Sequence, residues 1–320
     1  MDLEPYRGEL VAYCYRMLGS VHDAEDLAQE TLLRAWQARD RYDATRASVR
    51  TWLYRIATNA CLSALRGRAR RPLPSGLGAP SQDPGAALTP AFDIPWLQPF
   101  PDHRFDPGAR AGLRLALVAA MQVLPPRQRA VLVLREVLEF SAAEVASQLE
   151  TTVPAVNSAL QRARAALAGT VDLEEKVAEP EDPAVRAVVD RYAQAFAAAD
   201  VPALVRLLAD EAVLEMPPVP LWYRGRRDYG RFMDRVFAMN GTGWGTRPLT
   251  ASGQPALAAY APAPGGGHRL HTLQVFTVTG GQVTGNVVFA DRAVFRAFAL
   301  PEQIFQASAM SRGGAASTYR

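Results

Sequence analysis

Residues 141–167 read SAAEVASQLETTVPAVNSALQRARAAL, and the fold of the middle of the chain turns on how they are read. Ser141 and Glu144 stand at capping-box spacing, where a Ser side chain accepts from the third helical amide and a Glu reaches back. A helix is therefore predicted to begin at Ser141. Thr152 can cap a second helix, and Pro154 is tolerated in its first turn, where its missing N–H would be unpaired anyway. The turn between them, around Glu150 and Thr151, spans three or four residues. In the second helix Val156, Ala159, Leu160, Ala163 and Leu167 recur at helical spacing and face a core. Asn157, Ser158, Gln161, Arg162 and Arg164 are left pointing outward. A helix-turn-helix would make Thr152 to Arg164 a recognition helix, with Asn and Gln suited to adenine, Arg to guanine, and Thr and Ser to phosphates. An ordinary helical hairpin with a solvated face satisfies the same spacing.

Upstream, residues 6–71 also read as helical. Leu10, Tyr13, Cys14, Met17 and Leu18 form one apolar stripe, and Leu27, Ala28, Leu32, Ala35 and Trp36 a second. Trp52, Leu53, Ile56, Ala57 and Ala60 form a third, in an arginine-rich helix predicted over Ser48 to Arg71. Asp23 or Ser20 can cap the second helix, and a polar loop precedes the third. The net charge is only +3, but it is unevenly spread: seven arginines and no acid lie between Ala44 and Arg71. Residues 171–320 balance to about zero. DNA responds to fields within about a Debye length, near 10 Å, so one basic surface suffices. Interleaved aromatics suit single-stranded DNA, whose bases stack while its phosphates need counter-charge. Trp52 belongs to the core by its period, which leaves Tyr42, Tyr54 and Asn59 as candidates for base contact. A solvated basic face fits the same run.

The 320 residues suggest two or three domains at roughly 150 residues each. A composition 49% hydrophobic and 21% charged fits a soluble globular protein. No apolar run approaches the roughly 20 residues that span a bilayer, and MDLEPYRGEL lacks a signal peptide's basic start, so no membrane contact and a cytoplasmic location are expected. Cys14 and Cys61 fall in helical patterns and read as buried thiols, with no metal site. Nine of the 24 prolines lie between Pro72 and Pro107, which marks a linker. Within it, Trp96 and Phe100 in IPWLQPFPD either anchor in a partner's groove or fold back on the chain's own domains.

After VDLEEKVAEPEDPAV the character changes. VRAVVDRYAQAFAAAD, VPALVRLLAD (capped by Asp200) and RRDYGRFMDRVF are helical. Then come GTRPLTAS, PALAAYA, RLHTLQVFTVT and QVTGNVVFAD, with Gly280-Gly281 as a hairpin signal between the last two. Helices followed by antiparallel strands indicate an α+β domain with a curved sheet. GGGH at 265–268 lacks the Lys-Ser/Thr of a phosphate loop and reads as a hairpin. The expected domains are 1–71, a linker 72–108, a helix-turn-helix domain 109–170, an acidic tether 171–183, an α+β domain 184–305 and a disordered tail 306–320.

The order of parts is more specific than any one of them. DAEDLAQETLLRAW, TWLYRIATNACLSALR with its basic tail, a linker, LPPRQRAVLVLREVLEFSAAEVASQL and VNSALQRARAAL resemble an extracytoplasmic-function sigma factor of bacterial RNA polymerase over about residues 6–170. The resemblance implies two all-α domains and a monomer when free. It implies that Asp23, Glu25, Asp26, Gln29, Glu30 and Arg34 dock on the clamp helices of the large polymerase subunit, with the flap as a further contact. Arg41, Tyr42, Arg46, Arg50, Arg55, Asn59 and Arg66 would read the melted minus-ten element of promoter DNA. Thr151, Thr152, Asn157, Ser158, Gln161, Arg162 and Arg164 would read the minus-thirty-five element. Ser63 stands where the family often carries Asp, and Asn157 where Lys is frequent; both bear on promoter sequence and not on mechanism.

Residues 184–300, with FADRAVFRAFALP near their end, are similar to SnoaL-like domains, a cone fold with a pocket. Asp200, Glu215, Tyr223, Asp228, His271 and Asp291 could supply acid–base chemistry there, since an apolar cavity raises a carboxyl pKa. No pair of them has diagnostic spacing, and the fold hosts non-enzymes too. In sigma factors that carry such a domain it acts as a built-in regulator. The expectation is therefore a regulator and not an enzyme, with no cofactor and with room for an unknown small ligand.

Overall fold

A computed structural model describes residues 1–102, 113–174 and 179–305. The expected tail at 306–320, and parts of the expected linker (103–108) and tether (175–178), lie outside the described residues. The first domain is built on α1 (Arg7–Leu18), α2 (Val21–Gln37) and α3 (Val49–Ala64). Ser20 caps α2 by accepting the Asp23 amide, and Ser48 caps α3 by accepting that of Thr51. Leu10, Tyr13, Cys14 and Met17 pack with Ala28, Ala35, Leu53, Ala57 and Cys61. The Cys14 and Cys61 sulfurs are 3.7 Å apart as free buried thiols. Helix α3 stops at Ala64, short of the predicted Arg71, and Gly67 at φ 72° turns the chain away.

The second domain contains α4 (Leu115–Val123), α5 (Pro126–Leu132) with a π-helical extension (Val133–Val137), α6 (Ala142–Gln148) and α7 (Val153–Glu174). The capping box of Ser141 and Glu144 is present. Leu149 to Thr152 form the turn, with Glu150 at φ 51°. Thr152 Oγ1 accepts the Ala155 amide and so caps α7, which runs through 171–174, where a tether is expected from sequence. Arg129 joins the two helical domains. It is 3% exposed and donates to Gln122 and Leu124 carbonyls, to Gln122 Oε1 and, across the interface, to the Met17 carbonyl. Burial lowers its pKa to about 10.

The third domain begins with α8 (Pro183–Ala197) and α9 (Val201–Leu207), followed by β1 (Leu208–Glu215), β2 (Trp222–Arg224) and α10 (Arg226–Asn240). It continues with β3 (Gly245–Ala251), β4 (Gln254–Pro262), β5 (His268–Thr279), β6 (Gln282–Phe289), α11 (Arg292–Ala297) and β7 (Gln303–Ile304). The sheet runs β2-β1-β6-β5-β4-β3, with β7 on β5. The four strands read from sequence are β3 to β6. The other three went unread, and β1 pairs with β6 in parallel, so the sheet is mixed and not purely antiparallel. Strand β1 hid because Asp210 and Glu211 interrupt its apolar alternation on exposed positions. Gly280 and Gly281, at φ 59° and 76°, make the expected hairpin.

The two faces of this sheet have different partners. The concave face packs Phe276 and Leu257 against Tyr192, Phe196 and Phe232 of the domain's own helices. On the other side Ala251, Ala256, Leu273, Val275 and Phe289 join the apolar cluster of the two helical domains. The linker runs between them as a strap. Phe100, fully buried, sits 4.8 Å from the Tyr15 ring; its amide donates to Ser252 Oγ and its carbonyl accepts the Ser252 amide, both at 2.8 Å. Trp96 is 9% exposed and donates to the Ala91 carbonyl. Of the two readings of these aromatics, folding back is the one observed. No helix among the described residues is long and apolar enough to cross a membrane.

Candidate functional site

On α2, Asp26, Gln29 and Arg34 are exposed, while Asp23, Glu25 and Glu30 are half-buried. Asp23 is engaged by Arg68 (3.0 Å) and Arg71 (2.8 Å), and Glu30 by Arg34 (2.5 Å). Leu33 and Trp36, 54% and 56% exposed, lie on the same side. Trp36 is therefore not part of the core stripe: one residue past the buried Ala35, the helix has turned it outward. The Arg39 guanidinium lies 4.3 Å over its ring. The pair Leu33 and Trp36 was missed, although Asp26, Gln29, Leu33 and Trp36 already recur at three- and four-residue intervals in the sequence.

Helix α3 is covered on one side by the second domain. Arg50 binds Glu9 at 3.1 Å and the Leu138 carbonyl, and its guanidinium lies 4.8 Å over the Phe140 ring. Thr51 donates to Glu144 and Arg55 pairs with Glu150 at 3.1 Å. Tyr54 must be reassigned from base contact to core. It is fully buried, its hydroxyl donates to Glu9, and its ring meets Tyr13 and Phe140 edge-on. Around the covered side Arg41, Arg46, Asn59 and Arg66 are exposed. Tyr42 is half-buried, 5.0 Å from the Trp52 ring, and donates to the Ala47 carbonyl.

Helix α7 keeps its outward face open. Thr152, Asn157, Ser158, Gln161, Arg162 and Arg164 are exposed, Thr151 half-buried, and Arg164 pairs with Glu136 at 2.7 Å. Val156, Leu160, Ala163 and Leu167 form the buried side.

The acid–base candidates of the third domain are dispersed. Asp200 and Asp291 cap α9 and α11, and Asp228 pairs with Arg231 at 3.4 Å. Glu215 accepts the Ser75 amide at 2.8 Å and Tyr223 donates to the Asp83 carbonyl, so both hold the linker. Burial raises the Glu215 pKa against the opposing pull of the Ser75 hydrogen bond. Of the six, only His271 lines the cone's cavity, where burial lowers its pKa.

Residues 3–71 match the family model described as Sigma-70 region 2, 114–167 that of Sigma-70 region 4, and 189–286 the SnoaL-like domain. The ECF RNA polymerase sigma factor SigG of Mycobacterium tuberculosis is 47% identical over 94% of this chain and 83% of its own length. The chain belongs to the ECF sigma factors. The sigma factor SigJ of the same organism is 32% identical over 65% of the chain and 61% of its own length. SigJ's crystal structure superposes at a TM-score of 0.64 and 24% identity, covering 94% of this chain and 100% of that one, which shows a shared three-domain fold. In this sigma factor, α2 and α3 thus fall within the region 2 match and α7 runs through the region 4 match.

Proposed function

We propose that this sigma factor binds the core of RNA polymerase and delivers it to promoters. In this reading α2 docks through Asp23, Glu25, Asp26, Gln29, Glu30 and Arg34, on the clamp helices of the large subunit, and region 4 adds a contact to the flap. The observation that carries the docking assignment is the apolar pair Leu33 and Trp36. They are more than half exposed and flanked by charge, with the Arg39 guanidinium over the Trp36 ring. Such a patch marks an interaction surface. The open face of α7 reads the minus-thirty-five duplex in the major groove. Arg41, Tyr42, Arg46, Arg50, Arg55, Asn59 and Arg66 hold the melted minus-ten strand. Opening duplex costs about 1.4 kcal/mol per base step, so an extruded base needs a pocket that returns a few kcal/mol.

The third domain acts in cis as a regulator. Its convex face and the linker strap favour a compact arrangement in which region 4 covers part of α3, through the contacts of Arg50 with Leu138 and Phe140, of Thr51 with Glu144 and of Arg55 with Glu150. Reading the minus-ten strand requires those contacts to open. We assign the domain no catalytic role, because its acidic candidates serve as helix caps, an ion pair and linker anchors. The protein acts in the cytoplasm and is a monomer when free. Pull-down with core polymerase and run-off transcription from a promoter library test the reading. Retention on polymerase and promoter-dependent transcripts are expected, and deletion of 171–320 should change transcript yield. Absence of polymerase binding would leave a helix-turn-helix regulator that works on duplex alone.

A further inference from the structure

The cone of the third domain holds a partly open cavity of about 190 Å³. An engineered apolar cavity of about 150 Å³ holds benzene, so this one suits a single substituted ring. Phe196, Phe232, Met233 and Val236 make its walls largely apolar, which penalises a charged guest. Polar side chains interrupt these walls at Arg235, Asn240, His271, Thr272, Gln274 and Asn286, and the last is set apart by an unused acceptor. Asn286 lines the cavity, is 1% exposed, and its Oδ1 has no hydrogen-bond partner among the described residues. Its Nδ2 is fully used, on Tyr229 Oη (2.7 Å), Gln274 Oε1 (3.0 Å) and Tyr192 Oη (3.4 Å). A buried acceptor without a donor is costly, and a guest hydroxyl would relieve that cost.

The same cavity has one wall residue from outside the domain: Leu88 of the linker. The strap is fastened on both sides of it. Arg235, itself a lining residue, donates to the carbonyls of Pro84 (2.8 Å) and Ala86 (2.6 Å). Beyond Leu88, the Ala91 amide donates to the Pro218 carbonyl at 2.9 Å. Leu88 is thus held against the cavity by the segment that joins the two promoter-reading domains.

We propose that this cavity is a receptor site for a small uncharged aromatic alcohol of the phenol class, whose entry displaces Leu88 and loosens the linker. The site deepens the cis regulation proposed above, but its binding test needs no polymerase, so the two readings can fail separately. The probe is 4-ethylphenol, titrated calorimetrically into the full chain, with ethylbenzene as the partner lacking the donor. Wild type is expected to bind 4-ethylphenol, and ethylbenzene about tenfold more weakly. Leu88→Ala, which removes the competing side chain, should bind 4-ethylphenol about tenfold more tightly. Ligand should also raise deuterium exchange about tenfold at the Ser81 and Ala91 amides, both bonded to the third domain in the free chain. No binding by either protein, equal affinity of wild type and L88A, equal affinity for both probes, or unchanged linker exchange would each overturn the proposal.

Discussion

Helices α3 and α7 both carry basic and amide side chains, yet they meet their surroundings differently. Helix α7 presents Asn157, Ser158, Gln161 and Arg162 to solvent, while α3 has Tyr54 buried and Arg50, Thr51 and Arg55 tied to region 4. A duplex reader needs only an open convex face, because base edges are already displayed in the major groove. A reader of melted strand needs a pocket, and a pocket is easily covered by a neighbouring domain. Under the roles proposed above, the difference predicts that the free protein recognises the two promoter elements with unequal readiness.

Loosening the strap should have the largest effect. Phe100→Ala empties a fully buried site between Tyr15 and Ser252 and should cost about 3–5 kcal/mol of stability in urea unfolding. Its affinity for forked minus-ten DNA should rise relative to wild type, and its affinity for minus-thirty-five duplex should not. If both affinities moved together, the covering of α3 would have no functional meaning. Next in size, Gln161→Ala should weaken minus-thirty-five duplex binding by about 1–3 kcal/mol and leave fork binding alone. Fluorescence anisotropy on the two DNAs separates the cases, and an equal loss on both would contradict a base-reading role.

Arg55→Ala is expected to change stability by less than about 1 kcal/mol, since Arg55–Glu150 is a surface pair. Fork binding should nevertheless weaken, with a salt dependence shallower by roughly one phosphate contact; an unchanged slope would remove Arg55 from the strand-binding set. The subtlest test concerns Glu215, whose burial raises its folded pKa. Its contribution to stability is present below the unfolded carboxyl pKa and is lost as pH rises through the folded value. Glu215→Gln should therefore gain on wild type as pH increases, measured by unfolding at a series of pH values. A constant difference across that series would mean that the carboxylate is not penalised where it sits.

How much of this was legible in the chain follows from the range of the interactions. The capping box at Ser141, the Thr152 cap and the Val156–Leu167 stripe depend on neighbours three or four residues away, and all were readable. Tyr54 was misread because its covering residue, Phe140, lies far along the chain. Trp36 was misread because an apolar residue beside a stripe looks the same whether it faces in or out. Strand β1 carries charge on its exposed positions, so its pairing with β6 decided what its own pattern did not.

By itself the sequence determined the helices, their caps, the helix-turn-helix and the order of three domains, since each rests on local spacing and on hydrophobic periodicity. Only the tertiary structure decided that the sheet's convex face merges with the helical domains, that Phe100 and Arg235 fasten the linker, and that α3 is partly covered. Those facts depend on which surfaces complement one another across long stretches of chain, and no local period encodes complementarity.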